Sequence, residues 1–235
     1  KGLGIIAGAA TAVTGGLVAL EQSTEEYRIA QGKLNTAFEA AGYGADTAKQ
    51  AYTEFYKILG DTDTATEASQ LLAKLAGNEK DVATWTNIAA GVSGTFGDSL
   101  PIEGLIEASN ETAKVGQVTG VLADALNWAG ISEDTFNAQL ASCTTESERN
   151  QLIMKTLSKT YDKASEAFYR NNEAIVKSRE QQAKLQDTMG KVGGAVAEVK
   201  NTLLEKFAPA IEEVGSRFAD FISNINAERL AEHIT

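Results

Sequence analysis

A single cysteine, Cys143, rules out an intramolecular disulfide, so this chain is held together by packing and hydrogen bonds. The only histidine, His233, lies far along the sequence from it, and one Cys with one His does not make a typical zinc site or a recognisable Cys-His nucleophile pair. Two prolines in 235 residues leave helices almost uninterrupted. Basic residues are also scarce: 21 Lys and Arg stand against 32 Asp and Glu, a formal net charge of -11. That sign excludes the dominant attraction to nucleic-acid phosphates and favours solubility. No alternating strand pattern is present. What remains is rich in Ala, Glu, Gln and Lys, so the sequence predicts an all-α protein, with no cofactor and no metal site among its motifs.

The one long uncharged stretch is GLGIIAGAATAVTGGLVAL, residues 2–20, between Lys1 and Glu21. As a helix at about 1.5 Å per residue it spans about 28 Å, just enough for a bilayer core. Its glycines and threonines dilute the large aliphatics, which makes insertion marginal. A signal peptide fits poorly, with Lys1 as the only basic residue ahead of it and no cleavage pattern. The missing initiator methionine and the ending AERLAEHIT suggest an internal fragment of a longer protein. Gly4, Gly8, Ala12 and Gly16 recur at every fourth position and form a small-residue stripe suited to close helix association. A Gly/Ala-rich helix buried in protein and a membrane-active segment both fit this pattern. GLGIIAG lacks the third glycine spacing and the preceding strand of a dinucleotide loop.

From Glu21 the chain is punctuated like a helical array. Tyr27, Ala30, Leu34, Phe38 and Ala41 share one helix face that stops near Gly42 and Gly44, and this helix can continue the apolar run. Asp46 is placed to cap the next, which ends at Gly60; Thr64 with Glu67 has capping-box spacing, and Asn78 can cap a helix carrying Val82, Trp85, Ile88, Ala89 and Val92. Gly91, Gly94 and Gly97 lack the G-K-[ST] of a phosphate loop and suit helix packing. Pro101 sits at a helix start, a further helix runs to Trp128 and Gly130, and Ser132 can cap one more. Trp85 and Trp128 look like core anchors. The reading is a compact helical domain over 24–143, preceded by the apolar helix over 1–23.

After Cys143 the organisation changes. Thr145 and Glu148 form another capping-box pair. Leu157, Tyr161, Ala164, Phe168, Ile175, Leu185, Met189, Val192, Val196, Val199 and Leu203 then follow one four-three register, with Asn171, Ser178 and Gln182 at intervening seam positions. This heptad pattern predicts a long coiled-coil-like helix over 144–208 whose oligomer seam runs through Leu185, Met189, Val192, Val196, Val199 and Leu203. An antiparallel helix packed back on its own domain is the alternative. Leu203, Phe207 and Ile211 form a stutter near Pro209 and the Gly190, Gly193 and Gly194 cluster, where a bend or break is expected, and an amphipathic helix follows over 209–235.

No pattern of catalytic residues emerges. Glu25 with Glu26, Glu146 with Glu148, and Glu212 with Glu213 read as solvated helix faces or helix-start acids rather than acid-base pairs.

The segment LPIEGLIEASNETAKVGQVTGVLADALNWAGISEDTFNAQLASCTTESERNQLI, with the polar helix leading to LLEKFAPAIEEVG, resembles the tail tape measure proteins of long-tailed bacteriophages. The similarity runs from about Gly60 to about Ile225, with a hydrophobic run just upstream as is common in that family. The resemblance implies a structural role: long helical chains in several copies fill the tail tube lumen, set tail length as an internal ruler and leave ahead of the DNA. It implies copies of itself, tail tube protein, tail assembly chaperones and tail-tip proteins as partners, and the host inner membrane as a target during infection. It also implies manufacture in the host cytoplasm and residence in the virion. From the residues alone, a membrane-inserting or pore-forming helical effector is the competing expectation.

Overall fold

Helix-forming composition with almost no proline yields nine α-helices and one 3-10 turn, and no strand, among the described residues. The computed structural model describes the backbone of residues 3–223 and, in side-chain detail, residues 21–202 together with Glu205, Lys206, Glu213, Ser216 and Arg217. The helices are α1 (Leu3–Ala40), α2 (Ala45–Leu59), α3 (Thr62–Leu75), α4 (Glu79–Phe96), α5 (Ile102–Val115), α6 (Gly120–Trp128), α7 (Glu133–Ala141), α8 (Glu146–Asn171) and α9 (Glu173–Ser223), with the 3-10 turn Gly97–Ser99 before α5. The protein is all-α. It divides into two compact units, Glu25–Thr188, and Lys1–Thr24 with Met189–Thr235.

In the larger unit the core is built on the helix faces legible in the sequence. Leu34 and Phe38 of α1, Tyr52 and Phe55 of α2, Leu72 of α3, Trp85 and Ile88 of α4, and Phe136 of α7 are buried together. The α4–α8 pair is the closest packing. A Cβ on Gly91 would lie 2.5 Å from the Tyr161 carbonyl oxygen, and one on Gly94 3.0 Å from the Phe168 ring, so Gly91 lets α4 meet the α8 backbone and Gly94 makes room for the Phe168 side chain. Burial pushes the Tyr161 phenol up to about 12, which keeps it a donor, and it donates to the Ala125 carbonyl at 2.7 Å.

Local capping chemistry sets the boundaries. Asn78 accepts from the Asp81 amide at 3.1 Å, and Thr145 and Glu148 form a reciprocal capping box at the start of α8. Two sequence expectations shift here. Asp46 lies in the first turn of α2, whose N-cap is Gly44, and α3 starts earlier than Thr64 because Asp61 accepts from the Thr64 amide at 2.8 Å. Ser132 occupies the N-cap position of α7 without a side-chain cap bond.

The boundary expected near Cys143 moves as well. α8 buries Ile153, Leu157 and Tyr161 in the core, so the larger unit takes in α8 and reaches Thr188. The single helix expected over 144–208 is two helices, broken at Asn172, where the backbone turns to φ −116° and ψ 19° and both the side-chain amide and the backbone N–H donate to the Phe168 carbonyl at 2.9 Å. No break occurs at Gly190, Gly193, Gly194 or Pro209: the α9 backbone is helical through all four. Trp128, expected in the core, is 50 % exposed and lies on the Phe96 ring at a centroid distance of 4.7 Å.

The smaller unit brings the end of the apolar helix against α9. Gly193 meets Thr24 so closely that a Cβ there would overlap the threonine hydroxyl, and Lys200 pairs with Glu21 at 2.9 Å. The backbone of Gly4, Gly8, Ala12 and Gly16 is helical within α1, but their surroundings lie outside the described residues. Among the described residues no helix is long and apolar enough to cross a membrane.

Candidate functional site

α9 presents two faces of opposite character. In the larger unit, its inward face carries Arg179, Gln182, Ala183, Gln186 and Asp187. Arg179 donates to the Ile58 carbonyl at 2.6 Å and to the Lys57 carbonyl at 3.2 Å. Tyr56 donates to Gln182 at 3.3 Å, Tyr52 donates to Gln186 at 3.1 Å, and Lys49 pairs with Asp187 at 2.7 Å. Burial raises the Tyr52 phenol to about 12 and so keeps its proton available for Gln186. Further along, in the smaller unit, the buried positions of α9 are Gly190 and Gly193.

The seam residues lie on the other face. Leu185 is 61 % exposed, Met189 38 %, Val192 45 % and Val199 61 %, while Val196 is half-buried. The surroundings of Leu203 lie outside the described residues. Ile175 extends the same register and is also exposed, whereas the seam position Gln182 has its side chain engaged by Tyr56. The intramolecular contacts therefore rest mainly on small and polar side chains, and Leu185, Val192 and Val199 remain exposed while Val196 is half covered.

The positions flanking this apolar line carry almost no charge. Gln181, Gln186, Thr188, Gly193, Ala195 and Thr202 border it, and the one cation among its neighbours past Arg179, Lys200, is held by Glu21. The charged side chains of α9 sit elsewhere, partly in the i,i+4 pairs Glu173–Lys177 and Glu180–Lys184, each at 2.6 Å. In a chain of net charge -11, a border with so few charges lowers the repulsion that like surfaces would meet. Its heptad spacing gives it the form of one half of a coiled-coil seam.

A second feature is an open cleft of about 370 Å³ bordered by Asp61, Thr64, Asp98 and Glu103. Asp61 is committed to capping α3 there, and among the described residues no group of His, Cys, Asp and Glu is arranged to hold a metal ion. Cys143 is partly exposed, with its thiol 3.6 Å from the Gln139 carbonyl. His233 lies outside the described residues.

Two side chains that organise this architecture had no local signature. Arg149 of α8 donates to the Ala113 carbonyl, and to the Lys114 carbonyl at 3.4 Å, at the end of α5; Arg179 does the same for α2. Each helix then stops at a left-handed glycine, Gly116 and Gly60. Cations belong at helix C-termini, but these come from residues remote in sequence. No protein-family model, curated protein or solved structure matches this chain.

Proposed function

We propose that this chain is an assembly component of tape-measure type, in which several copies associate through the outward line of α9 and the resulting helical rod sets the length of a phage tail. The observation that carries the reading is the exposed line Leu185, Met189, Val192 and Val199, in heptad register on a 51-residue helix and bordered mostly by uncharged side chains. An aliphatic row of that kind gains from burial against other copies, whereas the acidic surface elsewhere gives no grip on DNA. The resemblance of residues 100–153 and of the stretch beyond them to tape measure proteins supplies the ruler role and the tail tube as its setting.

A ruler transmits its own length to the object it measures. Inserting eight heptads of α9-like sequence after Leu203 of the complete protein is expected to lengthen the tail by about 84 Å, at about 1.5 Å per helical residue. Electron microscopy of the resulting virions reads this directly. Tails of unchanged length would remove the ruler reading.

A further inference from the structure

Just past its apolar run, α1 meets α9 of the same chain. Gly193 and Thr24 are both buried, and a Cβ on Gly193 would overlap the threonine hydroxyl, so the two helices approach closely there. Lys200 then pairs with Glu21 at 2.9 Å. Moving back along α1 from Thr24 to Glu21 thus moves forward along α9 from Gly193 to Lys200, and the two helices run antiparallel within the smaller unit. Both continue past these contacts, α1 back to Leu3 and α9 on to Ser223. At about 100° per residue, Leu20, Leu17, Val13, Ala10 and Ile6 fall within about 40° of Thr24 around α1, whereas Gly4, Gly8 and Ala12 fall more than about 100° from it. Around α9, Ala197, Leu204, Phe207, Ile211 and Phe218 fall within about 40° of Gly193. The stutter brings this about: each step of four from Leu203 to Phe207 to Ile211 turns the apolar line by about 40°, away from the outward face and onto that of Gly193. The side chains described beyond Thr202 are Glu205, Lys206, Glu213, Ser216 and Arg217; all are exposed, and all lie at least about 120° from Gly193 around the helix.

We propose that the face of α9 carrying Ala197, Leu204, Phe207 and Ile211 is the binding surface for the apolar run of α1 in the same chain, the two forming an antiparallel stalk. The Thr24–Gly193 contact sets the register, with Leu20 opposite Ala197, Val13 opposite Leu204, Ala10 opposite Phe207 and Ile6 opposite Ile211. At two of these levels a small residue faces a large one, as interdigitating helix surfaces require. The pairing divides α9 along its length. As far as Val199 the outward line stays open to other copies, and from Phe207 the apolar residues serve the chain's own α1. The stripe of Gly4, Gly8 and Ala12 then faces away from α9, and the aliphatic side of the run reaches a bilayer only when the stalk opens.

The test is disulfide formation in a Cys143→Ser background, in dilute protein under mild oxidation, with crosslinks within and between chains separated on non-reducing gels. Val13→Cys with Leu204→Cys, and Ile6→Cys with Ile211→Cys, are expected to crosslink within one chain. Two control pairs are expected to react at least about tenfold more slowly: Ala12→Cys with Leu204→Cys, which is turned off the face, and Ile6→Cys with Leu204→Cys, which is displaced by about 10 Å along the axis. Control pairs that react as fast as the matched ones would overturn the proposal, as would matched pairs that crosslink only between chains. Circular dichroism of each reduced variant confirms that the helices are intact. Because the readout lies within one chain, it is independent of association through the outward line.

Discussion

The two helical glycines Gly91 and Gly32 show how context decides the sign of one substitution. Around Gly32 in α1 there is nothing within 4 Å of a Cβ, so Gly32→Ala is expected to stabilise the protein by up to about 1 kcal/mol through helix propensity. At Gly91 the same methyl meets the Tyr161 carbonyl at 2.5 Å and the Tyr161 Cβ at 2.9 Å, neither of which is a flexible side-chain end. Gly91→Ala is expected to destabilise by about 1–3 kcal/mol, and urea titration of both variants tests the contrast. Asp61 offers a pH-dependent case. Hydrogen bonds from the Thr64 amide and hydroxyl hold its carboxyl below the usual range, so its contribution is complete above the unfolded value and fades as pH falls through the lowered folded one. Asp61→Ala is expected to cost about 1 kcal/mol near neutrality, with the gap to the parent protein narrowing below about pH 4.

Among the elements, the outward line of α9 separates stability from association. Leu185, Val192 and Val199 are exposed, so changing all three to Ser is expected to move the unfolding free energy of the monomer by less than about 0.5 kcal/mol per site. By contrast Arg149→Ala, which uncaps α5, is expected to cost about 1–2 kcal/mol in the same urea titration. Much of this architecture was legible in the sequence. The burial of Leu34, Phe38, Tyr52, Trp85 and Ile88 follows from 3.6-residue periodicity, the cap at Asn78 from its place just ahead of the face carrying Val82 and Trp85, and the cap at Thr145 from its spacing to Glu148. The break at Asn172 was hidden because the heptad register passes through it unchanged and neither glycine nor proline marks it; the backbone turn at Asn172 reveals it. The Arg149 and Arg179 caps were hidden because both partners lie far away in sequence. Trp128 misled for a simpler reason: a tryptophan at the end of a short helix is as readily a half-exposed lid on Phe96 as a core residue.

Over the whole molecule, the acidic charge and the uncharged border of α9 act together. The net charge of -11 keeps copies apart wherever acidic faces meet, so in the proposed assembly the outward line of α9, with few charges along its border among the described residues, is where copies would meet. Added salt screens the repulsion and leaves apolar burial intact, so self-association through this face is expected to strengthen between about 50 mM and 500 mM salt, in a sedimentation series. An assembly held mainly by surface ion pairs would weaken over the same range.

The most direct measurement is the mass of the protein by light scattering over a concentration series, for the parent chain and for the variant with Leu185, Val192 and Val199 changed to Ser. The expected result is a discrete oligomer for the parent and a folded monomer for the variant. A parent that stays monomeric at every concentration, or a variant that assembles as the parent does, would contradict association through the outward line of α9.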